Sequence, residues 1–200
     1  MSDHYYTKNP HTKSEPQQWT TVLRGRNFAF TTDAGVFSKG EVDFGSRLLI
    51  DSFTEPGIEG DILDVGCGYG PVGLAVASLL PERIIQMVDV NERAIKLAES
   101  NAAKNGIQNV KVYPSDALES VDTEEFAAIL TNPPIRAGKE TVFKIYKEAC
   151  SRLAEGGELW VVIQKKQGAP STEAKLNELF GNADIVEKSK GYYIFKSKKH

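Results

Sequence analysis

From residue 61 onward, short apolar runs alternate with longer amphipathic ones, and the first of them ends in a cluster of glycines. Residues 61–65, 83–90, 110–113, 126–130 and 158–164 are short, apolar and rich in β-branched side chains. Between them, residues 71–80, 91–105, 139–153 and 172–180 carry apolar positions at helical spacing. Pro71 suits a first helical turn, Asn91 a helix cap and Gly106 a helix stop. Strands separated by helices of about 10 to 15 residues form βαβ units and a mostly parallel sheet. Residues 184–188 and 192–196 are two more strands with only Ser189, Lys190 and Gly191 between them, so they close the chain as an antiparallel hairpin. The expected fold is therefore α/β: a doubly wound, mostly parallel seven-stranded sheet ending in an antiparallel hairpin.

Ahead of this core, residues 21–23 and 28–31 are β-prone and flank a turn at 24–27, and residues 41–53 carry a helical apolar stripe. Residues 1–18 are polar, contain Pro10 and Pro16, and read as a loosely docked arm. The organisation expected is an arm at 1–18 and one domain at 19–200, with a β-hairpin extension at 19–37 and the core at 38–200.

In a doubly wound sheet, ligands bind beyond the carboxyl ends of the strands. The first such end reads Asp64, Val65, Gly66, Cys67, Gly68, Tyr69, Gly70, and its glycines let backbone approach a ligand closely. The dinucleotide spacing GxGxxG would need glycine at position 71, where Pro71 stands. Asp64 also precedes the first glycine by two residues; its charge repels a pyrophosphate and attracts an ammonium or a sulfonium. That favours S-adenosylmethionine over a nicotinamide cofactor, although a solvated aspartate closing a strand has the same sequence. Asp89, at the tip of the second strand, is placed to take both hydroxyls of a ribose. Asp116 and Ala117 follow the third strand, where the carboxylate can accept from an adenine amino group or serve as a turn or helix cap.

The fourth strand runs into Asn132, Pro133, Pro134, Ile135 and Arg136. Two prolines fix φ and remove two donors, leaving a stiff loop of oxygen acceptors to which Asn132 adds its side-chain carbonyl. Such an array suits an exocyclic NH₂ group; read blandly, it is a proline-stiffened turn. The histidines are His4, His11 and His200, so residues 12–199 offer no imidazole base and no histidine-rich metal site.

These residues resemble class I methyltransferases of the NPP-loop type. With residues 35–40, Asp43, Gly45 and Ser46 before them and residues 165–169 after, the pattern is similar to the small methyltransferase domain of the 16S ribosomal RNA guanine-N2 methyltransferase family. The resemblance runs from about Tyr5 to the C-terminus. It implies a Rossmann-like methyltransferase fold and transfer from S-adenosylmethionine to guanine N2, with ribosomal RNA or a ribosomal subunit as partner. It also implies that Asp64, Val65, Gly66, Cys67, Gly68, Gly70, Asp89, Asp116, Ala117 and Asn132 hold the cofactor, with Phe37 and Lys39 over the cleft. Asn132, Pro133 and Pro134 would be the catalytic loop. Many relatives carry Tyr or Phe where this chain has Ile135, which offers the substrate only apolar contact; Arg136 and Lys139 would compensate, and Lys165 would also contact the substrate.

The net charge of −3 excludes attraction of nucleic acid by the whole-protein field, so basic clusters must act locally. Those clusters are Arg24 with Arg26, Arg136 with Lys139, Lys165 with Lys166, and Lys196, Lys198 and Lys199, each of which also reads as a solvated face. Two cysteines without CxxC spacing, no apolar run near 20 residues and no secretory pattern predict a cytoplasmic protein with no membrane span and no metal. Protein glutamine or DNA adenine methylation uses the same acceptors. A dehydrogenase lacks an evident hydride-chemistry pair, and a non-catalytic RNA-binding module remains a reading from another class.

Overall fold

The computed structural model describes residue 8, residues 12–38 and residues 40–200. The chain runs β1 (Gln17–Leu23), β2 (Arg26–Thr32), α1 (Phe44–Ser52), β3 (Ile62–Val65), α2 (Pro71–Leu79), β4 (Ile85–Asp89), α3 (Glu92–Lys104), β5 (Val110–Pro114), β6 (Phe126–Thr131), α4 (Lys139–Arg152), β7 (Leu153–Gln164), α5 (Ala169–Phe180), β8 (Asp184–Ser189) and β9 (Tyr192–Lys198). Seven of the strands form one sheet in the order β5-β4-β3-β6-β7-β9-β8, with β9 antiparallel to both neighbours and the rest parallel. This is the doubly wound sheet the alternation predicts. The order reverses between β3 and β6, and that switch point sets the crevice.

Alternation along each strand builds two cores. Ile62, Met87, Leu130, Trp160 and Ile194 face α1, α2 and α3, while Leu63, Val88, Ile129, Val161 and Phe195 face α4 and α5. A strand covered on both sides has no polar face, which is why these runs read as continuously apolar.

Element boundaries move for local reasons. The first helix starts at Phe44 rather than 41, because Asp43 accepts from Ser46 N and caps it. The fifth helix starts at Ala169, three residues earlier than the stripe predicts, because Gly168 (φ +119°) turns the chain and Pro170 fits the first turn. Strand β7 begins at Leu153 instead of 158, with a register shift in its pairing to β6 between Phe126 and Ala128. Arg24 (φ +49°) and Gly25 (φ +80°) make the hairpin a two-residue turn.

The β1–β2 hairpin is fastened to α3 by asparagine amides. Asn101 Oδ1 accepts from Thr31 N (2.8 Å) and its Nδ2 donates to Thr31 O (3.0 Å); Asn105 repeats this with Ala29 at 2.9 and 2.8 Å. The free edge of β2 is thereby satisfied by side chains. Arg24, a candidate for RNA contact, instead donates to the carbonyls of Ile50, Asp51 and Phe53 at the end of α1. Arg26 likewise donates to Asn105 O at the end of α3. Both are helix C-caps. Of the polar arm, residues 1–7 and 9–11 lie outside the described residues. Ser14 Oγ donates to Asp33 Oδ2 (2.7 Å), and Arg93 Nη2 donates to Thr12 O (2.9 Å).

Candidate functional site

At the carboxyl ends of β3 to β6 lies a cavity of about 370 Å³. Its wall includes Phe37, Asp64, Val65, Gly66, Cys67, Gly68, Asp89, Asp116, Ala117, Asn132, Pro133 and Pro134, so twelve predicted residues converge on one space. Lys39 lies outside the described residues.

The turn after β3 is shaped by its neighbours. Gly66 N and Cys67 N both donate to Val88 O at 2.9 Å, tying the loop to β4. Gly66 (φ +76°) and Gly68 (φ +57°) are left-handed, and a Cβ built on either would meet no protein atom within 4 Å. Glycine there answers to conformation and leaves room for a ligand at the wall. Gly70 does not line the cavity. A Cβ on it would sit 3.0 Å from Met87 Cε and 3.1 Å from Leu74 Cδ1, so its smallness serves the core under α2.

Asp64 is buried, which removes the solvated-aspartate alternative. Its Oδ2 accepts from Gly73 N (2.9 Å), and among the described residues no cationic side chain pairs with it. Burial, with the Asp89 charge adding to it, pushes its carboxyl up to about 7. Asp89 Oδ2 accepts from Gly68 N and Oδ1 from Asn91 N, each at 2.8 Å, so it joins two loops. A carboxylate has about four acceptor sites, so these bonds do not exhaust it. Burial pushes this carboxyl up to about 6 against those hydrogen bonds. A buried carboxyl at Asp64 and a half-buried one at Asp89, neither in a salt bridge among the described residues, make this part of the pocket favour positive charge.

Asp116 sits at the wetter rim, its side chain 60% exposed, with Lys144 Nζ 3.4 Å away. Lys144, from α4, also donates to Glu119 and lines the cavity. Glu119 is the main reason its ammonium is held above the usual lysine range, with Asp116 and Glu148 adding to it.

The opposite wall is built from distant segments. Thr131 Oγ1 donates to Val65 O (3.0 Å), fixing the end of β6 against β3. Asn132 Nδ2 then donates to Asp43 Oδ2 (3.1 Å) and Ser46 Oγ (3.0 Å). A carboxylate only accepts, so the amide must turn its nitrogen toward α1. Its Oδ1 is left as the atom Asn132 can offer. Asp43 thus holds both the start of α1 and the asparagine of the NPP loop. The sequence pattern contains Asp43 and Ser46, but a cap and a second partner 89 residues away look alike there.

The proposed substrate residues do not gather as tightly. Ala137 N donates to Pro134 O, closing residues Ile135–Ala137 into a 3-10 turn, and Ile135 packs against the α4–α5 core. Arg136 and Lys139 are exposed, with Lys139 Nζ 5.1 Å from the centre of the Phe143 ring. Lys165 is exposed in a 3-10 turn after β7 and does not line the cavity. Among the described residues there is no metal-ligating cluster, and no helix is long and apolar enough to cross a membrane.

Known proteins carry the same frame. Residues 27–196 match the profile of the methyltransferase small domain. The chain belongs to the methyltransferase small domain family. This small domain is 60% identical over 200 residues, the whole of both chains, to the uncharacterized protein YbxB of Bacillus subtilis. It is 34% identical over 191 residues to the ribosomal RNA small subunit methyltransferase C of Vibrio cholerae, covering 92% of this chain and 54% of the relative. In structure it is similar to the Thermus thermophilus 16S rRNA N2 G1207 methyltransferase in complex with AdoMet and guanosine, with a TM-score of 0.82 and 25% identity over 96% of this chain and 52% of the other. The small domain therefore spans about half the length of these two methyltransferases. The Rossmann-like methyltransferase fold expected from the resemblance is the fold found.

Proposed function

We propose that this small domain transfers a methyl group from S-adenosylmethionine to the N2 amino group of a guanine in ribosomal RNA, working in the cytoplasm on the RNA or on a ribosomal subunit. The observation that carries the reading is the Asn132 amide, whose nitrogen is committed to Asp43 and Ser46 at the edge of an acidic cavity.

The cavity fits the cofactor. Gly66 and Gly68 leave open space at the wall, and Asp64 and Asp89 line the cavity as carboxyls held by backbone N–H groups, with no salt bridge to either among the described residues. In this reading Asp64 and the loop at Gly66, Cys67 and Gly68 hold the methionine end, Asp89 the ribose, and Asp116 with Ala117 the adenine. When bound, S-adenosylmethionine supplies a methyl group on a positively charged sulfur. Asn132 Oδ1 and the Pro133 carbonyl accept the two protons of the target amine and so leave its lone pair directed into the cavity. The amine sheds its extra proton to water after transfer, so the site needs no histidine, in keeping with none between residues 12 and 199. A glutamine amide would fit the same acceptors; the names of the two methyltransferase relatives favour RNA.

The test is incubation with labelled cofactor and unmodified small ribosomal subunits, followed by mass mapping of nucleosides. Label is expected in N2-methylguanosine. Label in protein, in DNA or in another nucleoside would overturn the assignment.

A further inference from the structure

The NPP loop offers the target base no aromatic plane, since Ile135 turns into the α4–α5 core. Aromatic rings stand on the other side of Asn132. Phe44, the residue after Asp43, lies 5.4 Å from the ring of Tyr192, and Lys190 Nζ lies 4.9 Å from the centre of the Phe44 ring. Gly45 makes this contact possible. A Cβ there would come within 3.0 Å of Tyr192 Cε1 and 3.3 Å of Asp43 Oδ2, so the Tyr192 ring rests on the start of α1 beside the carboxylate that holds Asn132.

The same edge is basic. In the β7–β9 register Gln164 faces Tyr192, and Lys165 N donates to Gly191 O (2.7 Å), so the turn after β7 and the β8–β9 turn form one ledge. Lys165, Lys166 and Lys190 on that ledge are exposed, whereas Phe44 and Tyr192 are half-buried. Strand β7 runs parallel to β6, so the ledge lies at the same end of the sheet as Asn132. Cations beside sequence-tolerant aromatic faces are the pairing that binds single-stranded nucleic acid. An acidic protein surface would need the lysines but not the rings.

We propose that this ledge seats the RNA strand carrying the target base, with Phe44 and Tyr192 as its stacking wall and Lys165, Lys166 and Lys190 contacting its phosphates. The proposal rests on the reading that the substrate is RNA. It recovers on α1 and β9 the aromatic surface that the catalytic loop lacks.

The test is binding of a short single-stranded RNA with one guanine to the full chain, followed by fluorescence anisotropy across a salt series. Replacing Lys165, Lys166 and Lys190 together by alanine should reduce the salt slope by about 2, at about 0.7 per phosphate contact on a single strand. Affinity for S-adenosylmethionine should stay unchanged. Phe44→Ala should weaken RNA binding roughly five- to hundredfold, with Phe44→Trp restoring it; Phe44→Leu, which keeps an apolar contact but no π-face, serves if the alanine variant does not fold. An unchanged slope in the triple variant, while the wild type still methylates ribosomal RNA, would overturn this surface alone. Binding of polyglutamate in preference to RNA by the intact chain would overturn the proposal in favour of an acidic protein partner, and absence of label from ribosomal RNA would remove the reading beneath it.

Discussion

The two walls of the cavity are made in opposite ways. The acidic wall is local: Asp64 accepts from Gly73, Asp89 from Gly68 and Asn91, and each strand tip is braced by the loop or helix start that follows it or its neighbour. The acceptor wall is assembled across the chain, with Asn132 held by side chains 89 and 86 residues earlier. Local bracing survives most changes elsewhere, whereas the acceptor wall depends on α1 being docked. Charge divides them too. The acidic wall keeps two carboxyls that burial resists ionising, and the acceptor wall satisfies its one carboxylate with a backbone N–H and a side-chain amide.

The largest effect should come from the acceptor wall. Asn132→Ala should lower kcat by at least roughly a hundredfold, the size seen when one preorganised polar contact to a transition state is deleted. Cofactor affinity, measured by calorimetry, should be nearly intact, because the acidic wall is untouched. A variant with normal turnover would remove Asn132 from the chemistry. Asp43→Asn sharpens the comparison further. Asparagine caps helices as well as aspartate does, so α1 should persist. Only the charged acceptor that fixes the Asn132 amide is lost, and hydrogen bonds to charged groups are worth about 1.5–3 kcal/mol. The expectation is a kcat lower by roughly ten- to hundredfold with an unchanged melting temperature; equal turnover would show that Asn132 is oriented without Asp43.

The contrast between local and assembled walls also explains what could be read from the sequence. Asp64, the glycines, Asp89, Asp116 and the NPP run sit at strand ends that hydrophobic periodicity locates, so their convergence is legible once the sheet is read as parallel. Gly70, expected at the cofactor, sits instead against Met87 and Leu74, and a turn glycine and a packing glycine look the same in a sequence. Arg24 and Arg26 read as a basic pair because nothing in a sequence reveals that two helices end next to them. Lys144 was invisible as a cavity residue, since α4 shows only a stripe and not which turn reaches the rim. The second role of Asp43 was hidden for the same reason.

The acidic wall should declare itself through pH. Asp64 and Asp89 are raised from 3.8 to about 7 and about 6, so between about pH 4 and pH 7 the folded chain binds more protons than the unfolded one. Through these groups the cofactor-free protein loses stability as pH rises across that window. A cationic ligand acts the other way, drawing both carboxyls into their charged form. Affinity for S-adenosylmethionine should therefore strengthen by up to about tenfold per pH unit per coupled proton between pH 5 and 7. Calorimetry at pH 6 in buffers of different ionisation heat should register proton release, and Asp64→Asn should reduce it. Affinity independent of pH would show that the ligand's positive charge lies away from these carboxyls.

The smallest effect is expected at the rim, where neither wall's logic applies. Lys144 reaches Asp116 and Glu119 with its side chain 34% exposed and Asp116 60% exposed. Solvent and salt screen such contacts, and exposed ion pairs contribute about 0.2–1 kcal/mol. Lys144→Met keeps the aliphatic stem along α4 and removes the charge. If Lys144 only steadies Asp116, affinity for S-adenosylmethionine should fall by no more than about fivefold, and the difference should vanish at high salt. A loss of tens of fold that persists in salt would mean that the ammonium touches the cofactor directly. The ammonium would then belong to the binding surface of the acidic wall, and the division of the cavity into an acidic half and an acceptor half would have to be redrawn around α4.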